Sequence, residues 1–324
     1  METYRIFSDA QLGETAARHL TESSSPHTIV VPAKRPASSL DLPEPDPAFG
    51  TAEIAFGQPD LDSIRNSSRL KWIHLSTAGF TRYDTPEFRE LVAERGLIVT
   101  NSSSVYARPC AEHVVAFMLA QSRLLPQALA SRTPNGSQEW VSIRSGSISL
   151  HRQSLVILGF GSIATELVKL LAPFEMKITA MRRQPRGDEG FPTVSTEDLP
   201  AALATADHVI NILPDNPASR HFIDASRLAQ MKTGAVFYNI GRGTTVDQPA
   251  LVEALRSGQL AAAWLDVTEP EPLADDHPLR SEPNCFITPH TAGGQGDEAL
   301  VLTNHFLANF RRFVDGQPLN DRIM

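Results

Sequence analysis

Residues 159–164 read Gly-Phe-Gly-Ser-Ile-Ala, which sets Gly159, Gly161 and Ala164 at G-x-G-x-x-A spacing. Gly159 permits a tight turn and Gly161 lets the backbone approach a pyrophosphate. Ala164 is small enough for a helix to pack on its strand. Phosphates would meet backbone N–H groups at the start of a helix expected over 162–172. Three small residues alone make only a turn, so the setting matters. The apolar Ser-Leu-Val-Ile-Leu precedes them and the amphipathic Ile-Ala-Thr-Glu-Leu-Val-Lys-Leu-Leu follows.

A dinucleotide site of this kind carries an acid about 20 residues further on, which holds the adenosine ribose. Here Arg182 and Arg183 occupy that place, and no Asp or Glu occurs from 176 to 187. A guanidinium suits bidentate recognition of a 2′-phosphate. The spacing therefore favours NADP(H), with NAD(H) possible. Two readings compete: the arginines are solvated residues past a strand end, or Asp188 and Glu189 restore the missing acid.

Polar or turn-forming clusters recur where strands end. Gly-Phe-Gly follows 154–158, Met-Arg-Arg follows 176–180, and Leu-Pro-Asp-Asn follows 209–212. Gly-Arg-Gly follows 235–240, Asp-Val-Thr-Glu-Pro-Glu-Pro follows 261–265, and Pro-His follows 285–288. Ligands of open α/β sheets bind outside the carboxyl ends of the strands. Six such clusters, containing Arg242, Glu271 and His290, describe one lined cleft.

The elements that must position these residues alternate between β-type runs and helical stretches, which favours parallel α/β architecture. The first third offers runs at 4–7, 28–31, 52–56, 70–75 and 96–100. A second series runs from 154 to 289. Between the series, 109–130 has apolar residues at helical spacing. Residues 131–151 have no clear period and are expected to form an exposed arm carrying Trp140, part of an interface. Residues 297–316 form another amphipathic helix. No repeat of 20–50 residues implies a solenoid.

At 324 residues the chain exceeds one ordinary hydrophobic core, so two domains are expected. Its 41% hydrophobic and 20% charged residues are those of a soluble globular protein. No apolar run approaches the ~18–20 residues that span a bilayer, and no secretory signal is visible at the N-terminus. No membrane partner is expected. Two cysteines, Cys110 and Cys285, lie far apart and outside any metal-ligand spacing. Neither a disulfide framework nor a metal site is expected, and a reducing, cytoplasmic setting fits. A net charge of −8 argues against nucleic acid as a partner.

Three longer motifs add a resemblance: 239–251 (NIGRGTTVDQPAL), 265–273 (LDVTEPEPL) and 288–294 (TPHTAGG). With the Val-Thr-Asn run that leads into Ala-Glu-His at 98–115, they resemble the D-isomer-specific 2-hydroxyacid dehydrogenase family over nearly the whole chain. The resemblance implies an α/β fold. A doubly wound Rossmann domain, at 101–290, is inserted into a smaller flavodoxin-like substrate domain formed by 1–100 and 291–324. It makes His290 the acid/base, Glu271 its carboxylate partner and Arg242 the substrate-binding arginine. Glu269 competes with Glu271, and the family pattern favours the acid immediately before Pro272. It also implies cofactor contacts at Ser162, Ile163, Leu213, Pro214, Ile240, Gly241 and Asp266, the last equally readable as a structural cap. Backbone N–H groups near Ala78 and Gly79 would meet a substrate carboxylate.

The chemistry implied is hydride transfer between NADPH (or NADH) and a small 2-oxo acid, of glyoxylate or hydroxypyruvate type, giving the D-2-hydroxy acid. A homodimer is implied by the family alone. There are departures: Leu-His-Arg-Gln stands where the family often has Leu-x-Gly-Lys. Gly241 replaces the alanine of N-x-A-R-G, and the glycine version follows His290. The lack of a C-terminal extension disfavours the long type of phosphoglycerate dehydrogenase. A nucleotide-sensing corepressor of the same fold, and a formate- or phosphite-type dehydrogenase, remain as alternatives.

Overall fold

The computed structural model describes residues 3–34, 43–185, 187 and 189–324. Asp188, one of the competing acids, lies outside the described residues. Two compact units divide the chain: Met1–Tyr106 with Gln295–Met324, and Ala107–Gly294. The second unit thus starts and ends a few residues later than 101–290. Hydrogen bonds account for the shift. Asn101 Nδ2 donates to the Ala78 carbonyl at 2.7 Å and Ser102 Oγ to the Leu75 carbonyl at 2.8 Å, which keeps both residues with the first unit. Thr291 and Ala292 donate their N–H groups to Asp266 of the second.

The first unit holds a parallel sheet of β1 (Arg5–Ser8), β2 (Thr28–Val30), β3 (Ile54–Gly57), β4 (Trp72–Leu75) and β5 (Ile98–Thr100), ordered β2-β1-β3-β4-β5. β3 and β4 are buried along their whole length, as continuous apolar runs in a parallel sheet must be. The C-terminal helix Glu298–Val314 completes this core. Phe306 stacks on Phe56 at 4.4 Å and on Trp72 at 5.2 Å, and all three are fully buried. Truncating such an aromatic costs about 3–5 kcal/mol, so residues from both ends of the sequence depend on each other.

The second unit holds seven parallel strands: β6 (Ser154–Leu158), β7 (Lys177–Met181), β8 (Thr193–Val194), β9 (His208–Asn211), β10 (Ala235–Asn239), β11 (Leu260–Leu265) and β12 (Cys285–Ile287). Their order is β12-β11-β10-β9-β6-β7-β8. From β6 the chain winds first to one side through β7, then returns to the other through β9. That reversal creates the switch point at which doubly wound sheets bind ligands. Helix Ser162–Leu171 follows β6 and buries Ala164, Leu167 and Leu171, one face at helical spacing.

Three local features differ from the sequence reading. Helix Ser103–Ser122 begins well before Pro109. Proline cannot donate to the carbonyl four residues back, and the Gln295 side-chain amide meets that Val105 carbonyl at 3.4 Å. The expected single helix to 130 breaks at Leu124, whose φ is 49°, and a short helix Leu125–Ala130 follows. The arm expected to lack a period contains helix Gln138–Gly146, capped by Ser137 Oγ accepting from the Trp140 N–H at 3.1 Å. Among the described residues no helix is long and apolar enough to cross a membrane. No group of three or more His, Cys, Asp or Glu there is arranged to hold a metal ion.

Candidate active site

The turn after β6 has the shape its glycines require. Gly159 sits at φ 91°, and a Cβ there would come within 3.2 Å of the Ile212 carbonyl oxygen. Gly161 begins the helix, and a Cβ built on it meets no protein atom within 4 Å. Ser162 and Ile163 form the first turn of that helix. Gly241 approaches the loop after β9 just as closely: its Cβ would lie 2.7 Å from the Leu213 carbonyl oxygen. Leu213 also packs near Gly159 and leads to the exposed Pro214, while Ile240 is buried before Gly241. Backbone from the ends of β6, β9 and β10 thus packs closely at Gly159 and Gly241, where a side chain would meet the loop after β9. These residues fit a dinucleotide.

Arg182 follows β7, with its N–H donated to the Val194 carbonyl at 3.1 Å. Its Nη1 donates to Glu189 Oε1 at 3.2 Å, and the Glu189 side chain is 4% exposed. Glu189 Oε2 also accepts from the Gly187 N–H at 2.8 Å. Arg183 is exposed. The pairing of Arg182 with Glu189 connects two features that the sequence offered as competitors.

Arg242 leaves β10 in extended conformation, and its carbonyl is held twice: by Asn239 Nδ2 at 3.1 Å and Thr245 Oγ1 at 2.6 Å. Buried Asn211 donates to both Asn239 Oδ1 and Thr245 Oγ1, at 3.0 and 2.6 Å, so the end of β9 braces the arginine turn. The Arg242 Nη1 donates to the Gly241 carbonyl at 2.6 Å. Next in the chain, Gly243 lies against the backbone of Thr268 and Glu269, where any Cβ would come within 2.0 Å of Thr268. This contact docks the arginine turn onto the loop that carries Glu271.

Glu271 Oε1 and His290 Nδ1 are 2.7 Å apart, each side chain 40% exposed. The competing acid, Glu269, pairs instead with Arg220 at 3.3 Å. His290 has φ 52°, a conformation that costs a non-glycine residue roughly 1–2 kcal/mol. Its surroundings impose it. Buried Asp266 accepts from Thr288 Oγ1 at 2.6 Å, Thr291 N–H at 2.8 Å and Ala292 N–H at 2.9 Å, and its carbonyl accepts from the His290 N–H at 2.9 Å. Of its two proposed parts, the capping one is therefore directly visible.

Two further side chains on helix Ser103–Ser122 reach this region. His113 Nε2 lies 3.3 Å from Thr288 Oγ1. Burial holds His113 below the ordinary histidine range, against the opposing charge of Asp266. Burial pushes the Cys110 thiol up to about 12, with Asp266 adding to the rise and Arg242 opposing it. Cys110 is thus a neutral thiol.

Ala78 and Gly79 belong to the first unit, after β4. Both carbonyls of this turn are engaged: Ala78 by Asn101 Nδ2, and Gly79 by Thr77 Oγ1 at 2.6 Å. The hydrogen bonds that hold the turn thus run through its oxygens.

A family profile described as the NAD-binding domain of D-isomer-specific 2-hydroxyacid dehydrogenases matches residues 115–292. The chain belongs to this family. It is 32% identical over 269 residues to a glyoxylate reductase of Aeropyrum pernix, covering 80% of this chain and 77% of that protein. It is also 32% identical over 261 residues to the glyoxylate reductase/hydroxypyruvate reductase of Homo sapiens, covering 78% and 76%. A solved structure of a D-isomer-specific 2-hydroxyacid dehydrogenase family protein from Aeromonas salmonicida has a TM-score of 0.75 at 28% identity, covering 100% of this chain and 99% of that one. As a family member the chain is an NAD(P)-dependent D-2-hydroxyacid dehydrogenase, and its second unit is a Rossmann nucleotide-binding domain.

Sequence reasoning gave no role to Asn211, Asn239 or Thr288, the bracing residues of this 2-hydroxyacid dehydrogenase. Asn239 and Thr288 fall inside quoted motifs. The only available signal was a polar residue at the last position of an apolar strand, for Asn211 and Asn239, or just beyond one, for Thr288. That signal marks a strand end without naming its partner.

Proposed function

We propose that the chain reduces a small 2-oxo acid of the glyoxylate or hydroxypyruvate type to its D-2-hydroxy acid, with NADPH preferred and NADH accepted. The observation that carries this reading is the 2.7 Å contact of Glu271 with His290 Nδ1, beside the docked turn of Arg242. Names of the relatives at 32% identity support the substrate class, and Arg182 supports the cofactor.

The reduced nicotinamide, when bound, supplies a hydride to the carbonyl carbon. Everything else falls to the chain. Glu271 accepts the Nδ1 proton of His290, which fixes the tautomer and the orientation of the ring. Nε2–H is then left to deliver a proton to the carbonyl oxygen as negative charge develops there. Arg242 grips the substrate carboxylate and polarises the carbonyl, so that one planar fork fixes both orientation and charge. In the oxidative direction, neutral His290 takes the hydroxyl proton through Nε2. In this reading Ser162, Ile163, Leu213, Pro214, Ile240 and Gly241 line the dinucleotide, and Asp266 meets the nicotinamide amide besides capping the histidine turn.

A homodimer fits the exposed arm. Helices Leu125–Ala130 and Gln138–Gly146 bury none of their residues, and Leu125, Leu129, Val141 and Ile148 are exposed, Leu129 by 82%. Apolar surface concentrated on so thin a segment calls for a covering partner. Both cysteines are free thiols, in keeping with a cytoplasmic setting.

The test is oxidation of NADPH and of NADH with a panel of 2-oxo acids. Turnover should be highest with glyoxylate or hydroxypyruvate. NADPH binding without turnover of any 2-oxo acid would point to a nucleotide sensor, and turnover of formate or phosphite alone to a dehydrogenase of that type.

A further inference from the structure

We infer that Glu189 is a specificity-determining residue that limits the preference for NADPH and gives the enzyme its use of NADH. The inference rests on the reading of Arg182 as the ligand of the 2′-phosphate. Glu189 is almost wholly buried, yet its carboxylate is directed at the guanidinium that the phosphate would need, 3.2 Å from Nη1. Its second oxygen is fixed by the Gly187 N–H. Two contacts carry this segment onto the nucleotide turn. Phe191 packs on Phe160, the middle residue of Gly-Phe-Gly, with ring centroids 5.0 Å apart, and the Gly159 N–H donates to the carbonyl of Met181, the residue before Arg182. An acid therefore lies beside the arginine that would meet the adenosine ribose. It arrives from beyond the arginines rather than from the end of β7.

The two cofactors meet this pair differently. A 2′-phosphate gains Arg182 but must sit near a fixed carboxylate, and at a few ångströms in a poorly solvated site that repulsion is large. A 2′-hydroxyl carries no charge and can donate to a carboxylate, the role an acid plays in NAD-binding Rossmann sites. Of the five guanidinium N–H groups, Glu189 engages one on Nη1, which leaves other donors for a phosphate. Recognition of NADPH is thus weakened without being blocked.

Glu189→Gln keeps the shape and removes the charge, and Glu189→Ser provides a second variant should the glutamine pack poorly. kcat/KM with glyoxylate and direct fluorescence titration are measured for NADPH and NADH. The NADPH-to-NADH ratio is expected to rise about tenfold in the variants, through tighter NADPH and weaker NADH. An unchanged or lower ratio overturns the inference, a fall meaning that the carboxylate serves to aim Arg182 at the phosphate. Failure of the underlying reading looks different: Arg182→Gln would leave NADPH affinity unaltered while the Glu189 variants still moved the ratio.

Discussion

Asp266 joins the positioning of His290 to the stability of the second unit, and replacing it separates its two proposed parts. In Asp266→Ala, Thr288 Oγ1 and the N–H groups of Thr291 and Ala292 lose an acceptor now at 2.6, 2.8 and 2.9 Å. Each bond to a buried charged acceptor is worth about 1.5–3 kcal/mol, and water entering the vacated space recovers part of it. A net loss of about 3 kcal/mol follows, and a unit of this size should melt roughly 6–12 °C lower. The same three bonds hold His290 at φ 52°. Without them the turn relaxes towards negative φ and Nδ1 leaves Glu271, so kcat should fall about 100-fold or more, within the range that a misplaced acid/base costs. Asp266→Asn keeps one oxygen but turns an amide towards an N–H, and should lie between the two. Steady-state kinetics, calorimetry and fluorescence titration of NADPH measure these quantities separately. A variant with lower NADPH affinity but wild-type kcat and melting temperature would make Asp266 a cofactor ligand only, and the positioning argument would fail.

Arg182→Asp should lower the NADPH-to-NADH ratio of kcat/KM by about 100-fold, because a cation near a dianion becomes an anion; an unchanged ratio removes Arg182 from phosphate recognition. Leu129→Glu should convert a dimer to a monomer in sedimentation analysis, and a monomeric wild type would refute the arm as an interface. Burial holds His208 down at about 4 and, with the charge of His305 adding to it, His74 at about 3. Both stay neutral in the folded chain while the unfolded chain takes up protons below 6.5. Stability is therefore complete above that pH and declines as pH falls towards 4, by about 1.4 kcal/mol per unit for each histidine at most. Calorimetry of His208→Asn should give a flatter decline, and a slope equal to that of the wild type would contradict the assignment.

Strands that are buried on both faces write themselves as apolar runs, which is why Ser154–Leu158 and Ala235–Asn239 were legible. β8 was not: two residues pairing only with β7 at the sheet edge leave no pattern. The break at Leu124 lacks a glycine to announce it. At the candidate site, residue types and order were legible because each stands at a strand end. Their bracing was hidden, since Asp266 and Thr291, or Asn211 and Thr245, meet only after the sheet has formed. The Arg182–Glu189 pair was half-visible, with both residues noticed and opposed to each other rather than joined.

His290→Ala, compared with wild type for NADPH oxidation by glyoxylate and for NADPH binding in the same preparation, decides whether the Glu271–His290 contact is the proton-transfer centre. kcat should fall by about 100-fold to 10,000-fold while NADPH affinity is unaltered. Retention of wild-type turnover would contradict the mechanism built on that contact.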